Sequence, residues 1–105
     1  MSKHNRTITE ARVQELSERL YGIRPLDRVA KLDEEIKELF SVIIDHSCDS
    51  ATIDEVKDEL SDCLFVLISL IGIYDTNIRE LVDMAIYKIK QREINPNFKR
   101  DETNI

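Results

Sequence analysis

The sequence predicts an all-α fold built from four helices. Only two glycines and two prolines interrupt the 105 residues, whereas a sheet protein needs turn residues between its strands. Long stretches rich in Leu, Ile, Glu, Lys and Arg favour helices instead. Two T-x-x-E segments, at 7–10 and 52–55, match the capping boxes that begin helices. We therefore expect helices throughout, separated by short connectors.

The first helix is predicted to follow the capping box of Thr7 and Glu10 and to end near Leu20. Its apolar side chains recur every three or four residues, which predicts one narrow buried stripe formed by Ala11, Val13, Leu16 and Leu20. The segment 21–25 then breaks the helix, and Pro25 suits the first turn of the next one.

The second helix is predicted from about Leu26 to Asp45, before a polar connector at 45–51. Apolar residues at helical spacing define its packed face: Leu26, Val29, Leu32, Ile36, Leu39, Phe40 and Ile43.

The third helix is predicted to begin after Thr52 and to continue to about Ile73. The fourth helix is expected to take Asp75 or Thr76 as its N-cap and to run to about Arg92, before the stop signal of Asn95-Pro96.

A chain of this length is large enough for one hydrophobic core, so residues 1–105 are predicted to form a single domain with loose tails at 1–8 and 94–105. No signal peptide is recognisable, and no run approaches the roughly 18 apolar residues of a membrane span. Cys48 and Cys63 lack a CxxC spacing and are expected to be reduced thiols. We therefore expect a cytoplasmic protein with no membrane partner.

The charge of the chain limits its partners. A net charge of -6 argues against a nucleic-acid polymer, because binding to the phosphate backbone relies on clustered Lys and Arg. A small anion remains open as a partner if a cation mediates its binding.

Two pairs of acids, one on each of the central helices, suggest a metal site. Glu59 and Asp62 are three residues apart, so their carboxylates lie on neighbouring turns of one helix face. Glu35 and Glu38 repeat this spacing on the second helix, and Glu34 stands beside them. Oxygen ligands without His or Cys favour Mg²⁺ or Mn²⁺ over zinc.

The simpler alternative is that these acids form a solvated face paired with lysines such as Lys31, which precedes Glu35 by four residues. Against it, Glu35 lies within about 40° of Leu39 on a helical wheel, so it borders the packed face. An acid there needs a compensating positive charge. His46 and Cys48 are a weaker rival, as a soft-metal pair in the connector.

With both pairs in view, the chain resembles the MazG-like nucleoside triphosphate pyrophosphohydrolases of the all-α NTP pyrophosphatase superfamily. The family signature EExxE reads Glu34-Glu35-Ile-Lys-Glu38 here, and ExxD reads Glu59-Leu-Ser-Asp62. Lys88-Ile-Lys-Gln-Arg92 is similar to the K-x-x-x-R element of the next helix. The resemblance covers roughly residues 24–92.

The resemblance implies Mg²⁺-dependent hydrolysis of a nucleoside triphosphate to the monophosphate and pyrophosphate. It implies that the Mg²⁺ ligands are Glu35, Glu38, Glu59 and Asp62, with Glu34 as a secondary acid, and that Lys88 and Arg92 bind phosphate. Glu35 or Glu38 would assist the attacking water. An equally good explanation of the two basic residues is a solvated cationic last turn that complements the helix dipole.

Substrate contacts and assembly complete the expectations. Tyr21, beside a helix break, is the expected base contact.

The segment 63–73 is apolar all round its helix and needs covering on every side, which favours a homodimer or homotetramer, as is typical of the family. A dUTP, dCTP or phosphoribosyl-ATP pyrophosphohydrolase stays open as an alternative. So does a non-catalytic helical interaction module, which predicts no metal dependence.

Overall fold

The computed structural model describes residues 6–95, which form four α-helices and no strand. They are α1 (Ile8–Tyr21), α2 (Pro25–Ser47), α3 (Ile53–Ile73) and α4 (Ile78–Ile94). The all-α prediction is confirmed. The expected loose tails fall largely on residues 1–5 and 96–105, which lie outside the described residues.

Both predicted capping boxes are present, at Thr7 for α1 and at Thr52 for α3. The predicted N-cap of α4 is wrong, because Asn77 takes that role and its side chain accepts a hydrogen bond from the Glu80 N–H at 2.9 Å. Asp75 instead lies in a turn, with a left-handed backbone conformation (φ of 54°), and two residues stand between it and the first residue of α4.

The long helix α3 is the centre of the fold. It packs along α2, and α1 packs against it more lightly, whereas α4 makes only sparse contact with the other helices. Because α2 and α3 lie side by side, the two acidic motifs that they carry are brought together.

The buried face of α1 differs from the predicted apolar stripe. The residues that α1 buries are Glu10, Gln14 and Ser17, whereas Leu20 is exposed and the other stripe residues are only half-buried. The Gln14 amide donates to the Ile68 carbonyl at 3.4 Å, so α1 docks on α3 through polar groups. The apolar prediction failed because periodicity does not reveal which face of a helix its neighbour covers within one chain.

Glu10 connects α1 to the start of α4. One of its carboxylate oxygens accepts the Thr7 N–H at 3.2 Å, within the capping box of α1. Its other oxygen accepts the Ile78 N–H at 2.7 Å, at the first residue of α4. The buried Glu10 side chain therefore caps two helix N-termini, where the helix dipoles favour negative charge.

Much of the apolar surface of residues 6–95 is not covered by other residues of this range. Within residues 6–95 only two large hydrophobic side chains are buried, those of Val66 and Ile68. Phe40 is 67% exposed although it belongs to the predicted packed face of α2, and Leu64, in the apolar segment 63–73, is 54% exposed. The radius of gyration is 16.3 Å, against about 13 Å for a compact chain of 100 residues.

Among the helices of residues 6–95, none combines the length and the apolar character that crossing a membrane requires.

Candidate metal centre

The paired helices α2 and α3 bring all five predicted acids into two overlapping groups. In the group that spans both helices, ligand oxygens of Glu35, Glu59 and Asp62 lie within 4.8 Å of one another. In the other group, which lies on α2 alone, ligand oxygens of Glu34, Glu35 and Glu38 also lie within 4.8 Å of one another. Glu35 belongs to both groups, so it is the residue that joins the two motifs.

The five carboxylates differ in their exposure to water. Glu35 is only 7% exposed, because it points from α2 towards α3. Glu59 is half-buried on α3, while Glu34, Glu38 and Asp62 are exposed. The cluster therefore has a buried base and an open side, which is the arrangement a cation needs if it is also to contact a substrate.

The electrostatics of the cluster favour the binding of positive charge. Desolvation raises the pKa of Glu59 above its ordinary value, and the nearby carboxylates of Glu38 and Asp62 raise it further. Desolvation and the Glu35 carboxylate likewise raise the pKa of Asp62, although Lys31 opposes this shift. Desolvation also raises the pKa of the Cys63 thiol, and the negative charges of the neighbouring carboxylates, the largest from Glu35, raise it further. The thiol therefore stays protonated. Proton uptake and cation binding are thus both favoured at these acids.

Two carboxylate oxygens at the base of the cluster have no hydrogen-bond partner. Glu35 Oε1 and Glu59 Oε1 are both buried and unpaired within the described part of the chain. A buried acceptor without a partner is costly, especially when it carries charge. Unpaired carboxylate oxygens on facing helices fit a hard divalent cation such as Mg²⁺, which prefers oxygen ligands.

Lys31 supplies the one ammonium group that contacts these acids within residues 6–95. Its Nζ lies 2.8 Å from Glu34 Oε1 and 3.0 Å from Glu35 Oε2. The lysine pairing expected from a solvated acidic face is therefore present on α2. It leaves the buried oxygens of Glu35 and Glu59 unpaired, so it does not account for the whole cluster.

The two basic residues of the K-x-x-x-R element lie on α4. Lys88 is exposed and Arg92 is half-buried in the last turn of that helix. Within residues 6–95 no ion pair joins either of them to the acids. Because α4 packs sparsely on α2 and α3, the fold of one chain does not bring this element into contact with the cluster.

Tyr21 lies at the end of α1 with its ring more than half exposed. The Arg28 guanidinium stands 4.8 Å from the centre of that ring, in a cation–π contact. Arg28 is buried, and its Nε atom has no hydrogen-bond partner within the described residues. It lies seven residues before Glu35 on the same face of α2.

The site predicted from sequence does not include Arg28, and it includes Lys31 only as a partner for solvated acids. The available signal was spacing, because Arg28 and Lys31 precede Glu35 by seven and four residues, which places all three on one helix face.

The weaker metal candidate in the connector gains no support. His46 Nδ1 lies 2.9 Å from the Ala51 carbonyl oxygen, and Cys48 is exposed. Neither belongs to a group of three or more metal-ligating side chains among residues 6–95.

A cleft of about 630 Å³ lies elsewhere, between α1 and the C-terminal end of α3. Its walls include Arg12, Gln14, Ser17, Ser69 and Gly72, and none of the five acids lines it. The acidic cluster is therefore separate from this cleft.

Fold and site together define a class of protein, an all-α chain in which EExxE and ExxD motifs face one another across two helices. The chain belongs to the family of the MazG nucleotide pyrophosphohydrolase domain, which matches residues 24–96 and so confirms the resemblance. Membership indicates a hydrolase of the nucleotide pyrophosphohydrolase type. Neither the curated proteins nor the solved structures gave a match to the chain.

Proposed function

We propose that the protein hydrolyses nucleoside triphosphates, ribo- or deoxyribonucleotides, to the monophosphate and pyrophosphate with Mg²⁺ as cofactor and Mn²⁺ as a substitute. The observation that supports this most is the pair of buried, unpaired oxygens, Glu35 Oε1 and Glu59 Oε1, on facing helices. A triphosphate is repelled by an acidic surface unless a cation mediates, so the cluster suits this substrate only with a metal.

The proposed metal ligands are Glu35, Glu38, Glu59 and Asp62, with Glu34 beside them as a secondary acid. When bound, a divalent cation supplies the positive charge that neutralises phosphate oxygens during hydrolysis. Glu35 or Glu38 accepts a hydrogen bond from the attacking water and orients it.

The remaining substrate contacts are assigned from the chemical character of the side chains, with cations for phosphate and an aromatic ring for the base. Lys88 and Arg92 bind phosphate, and Tyr21 contacts the base. Arg28 keeps the Tyr21 ring in place through the cation–π contact. The base and the sugar that the site prefers are left to experiment, so dUTP, dCTP and phosphoribosyl-ATP belong among the substrates to be tested.

We further propose that the protein is a cytoplasmic homodimer or homotetramer that forms one domain per chain. The many large apolar side chains left exposed on α2, α3 and α4 support this, because burying them against a second copy of the chain would remove them from water. Assembly would also bring the Lys88 and Arg92 side chains of one chain or another to the acids.

The test is the release of pyrophosphate from a panel of ribo- and deoxyribonucleoside triphosphates, with and without Mg²⁺. We expect Mg²⁺-dependent release, lowered by about 100-fold or more in Glu38→Gln and in Asp62→Asn, since each removes a charge that the metal needs. Asp83→Asn is the matched control, because Asp83 lies on α4 and pairs loosely with Arg79 at 3.9 Å. Full activity in both site variants would refute the assignment.

The rival of another class is a helical interaction module whose acids are only a solvated face. It predicts no pyrophosphate release from any nucleotide and no change in thermal stability on addition of Mg²⁺. Family membership and the unpaired buried oxygens both favour the enzyme.

A further inference from the structure

Lys31 is paired more extensively with one of the two overlapping acidic groups than with the other, of which it contacts only the shared Glu35. It forms ion pairs with Glu34 and Glu35, two of the three members of the group on α2. Within residues 6–95 no lysine or arginine pairs with Glu59 or Asp62 in the group that spans both helices. The two groups are therefore chemically different, although both consist of carboxylates alone.

The two carboxylate oxygens of Glu35 have different environments. Its Oε2 atom lies 3.0 Å from the Lys31 ammonium, whereas its Oε1 atom is buried and unpaired, as is Glu59 Oε1. Glu35 is more than nine-tenths buried, so the direction of its two oxygens is fixed by packing. One oxygen thus serves Lys31, and the other is available to a cation on the α3 side.

We propose that the Lys31 ammonium acts as a built-in cation at Glu34 and Glu35, so that the group on α2 holds no divalent ion of its own and the free protein binds one divalent ion per chain. That ion takes the group of Glu35, Glu59 and Asp62, with Glu38 as its fourth ligand, as in the proposed site. The inference rests on the proposed metal site and adds to it the number of ions and the residue that limits it.

The physical reason is charge balance among close carboxylates. Three carboxylates whose oxygens lie within 4.8 Å of one another repel each other strongly unless a positive charge stands among them. Lys31 provides that charge on α2, and Glu34 holds its ammonium there at 2.8 Å. Without Lys31, the same three carboxylates form an oxygen site that a second divalent ion can take.

The experiment counts bound Mn²⁺ in the whole protein without nucleotide, by electron paramagnetic resonance of the free ion. The wild type is expected to bind one Mn²⁺ per chain, while Lys31→Met and Lys31→Gln each bind two, the added ion with a Kd of roughly 1 mM or tighter. Lys31→Arg retains the positive charge and is expected to bind one.

The chain offers a matched control on the same helix. Lys37 pairs with Asp33 at 3.0 Å with the same spacing of four residues, but Asp33 belongs to neither acidic group. Lys37→Met removes the same charge and is expected to leave the count at one. Adding Glu34→Gln to Lys31→Met is expected to return the count from two to one, because Glu34 belongs only to the group on α2.

The outcomes separate this inference from the proposed function. One ion in the wild type and one in both neutral Lys31 variants, folded by circular dichroism, would overturn the role of Lys31 and leave the metal site intact. Two ions in the wild type would also overturn it. No bound ion in the wild type would remove the metal site itself, and the inference with it.

Discussion

At the scale of single residues, the acidic cluster is a source of instability until a cation binds. Glu59 carries a raised pKa because it is desolvated and lies beside other carboxylates, and its buried oxygen lacks a partner. A raised pKa means that the folded state holds the proton more tightly than the unfolded chain does. Ionisation of Glu59 therefore opposes folding in the metal-free protein.

We predict that Glu59→Gln raises the thermal unfolding midpoint of the metal-free protein at pH 7. Below the ordinary Glu pKa, about 4.3, wild type and variant should differ little, because Glu59 is protonated in both states. As pH rises through the raised pKa, Glu59 ionises in the folded wild type and lowers its stability, whereas the variant has no charge to gain. The difference in unfolding midpoint between variant and wild type therefore grows with pH. Thermal melts from pH 4 to 8 in a chelator measure it.

Addition of Mg²⁺ should reverse the order of stability. The ion stabilises the wild type by binding only its folded form, whereas Glu59→Gln has lost a ligand. Glu93→Gln, an exposed acid on α4, serves as the control and should follow the wild type at every pH. A Glu59→Gln protein that is less stable than wild type without metal would contradict this explanation.

At the scale of helices, the two capping boxes look alike in sequence but differ in consequence. Glu55 is exposed and caps only its own helix, accepting the Thr52 N–H at 2.7 Å. Glu10 is buried and also caps α4 through the Ile78 N–H. Glu10 therefore holds together elements that are 68 residues apart in the chain.

We predict that Glu10→Ala lowers the free energy of unfolding by about 2–3 kcal/mol, since it leaves the half-buried Ile78 N–H without its charged acceptor. The matched variant Glu55→Ala should lower it by only about 0.5–1 kcal/mol. Urea unfolding of both variants makes the comparison. Equal losses would show that the link between α1 and α4 does not contribute.

A second prediction concerns the contact between α1 and α3 at Gly72. A Cβ atom there would lie 2.7 Å from Cγ and Cδ of Gln14, closer than such atoms approach. Gly72→Ala should therefore destabilise the wild type by about 1–3 kcal/mol. In a Gln14→Ala background the same change should stabilise by about 1 kcal/mol, because alanine favours the helix. Urea unfolding of the four proteins tests the reversal, and the same loss in both backgrounds would contradict it.

Local signals in the sequence predicted the helices well and their packing poorly. The Thr7 and Thr52 capping boxes predicted the starts of α1 and α3. Spacing paired Glu59 with Asp62, and the presence of an acidic pair on each central helix predicted the cluster in which Glu35 meets Glu59. The buried polar face of α1 was not predictable, because burial of Gln14 depends on Gly72, far away in the chain. The N-cap of α4 was missed because three consecutive residues, Asp75 to Asn77, could each have served.

At the scale of the whole molecule, residues 6–95 carry more apolar surface than they cover themselves. Leu67 is 43% exposed and Leu64 is 54% exposed, on the same helix that carries Glu59 and Asp62. The catalytic proposal and the assembly proposal therefore meet on α3. In its first half, Glu59 and Asp62 lie beside Glu35 of α2, and in its second half Leu64 and Leu67 are exposed although Val66 and Ile68 are buried.

We predict that light scattering gives a molar mass of two or four times the 12.3 kDa of one chain. Leu64→Lys should reduce the mass towards one chain, because a charge is costly to bury at an interface. Leu64→Met keeps the apolar character and should retain the assembly. A wild-type mass equal to one chain would contradict the assembly proposal.

The central claim is that the facing acids of α2 and α3 support metal-dependent pyrophosphohydrolysis, and the products of the reaction test it most directly. The protein is incubated with Mg²⁺ and a nucleoside triphosphate that it hydrolyses, and the products are separated by chromatography. One pyrophosphate should form for each nucleoside monophosphate. Both should disappear with a chelator and in Asp62→Asn. Release of orthophosphate with a nucleoside diphosphate, or unchanged product formation by Asp62→Asn, would contradict the claim.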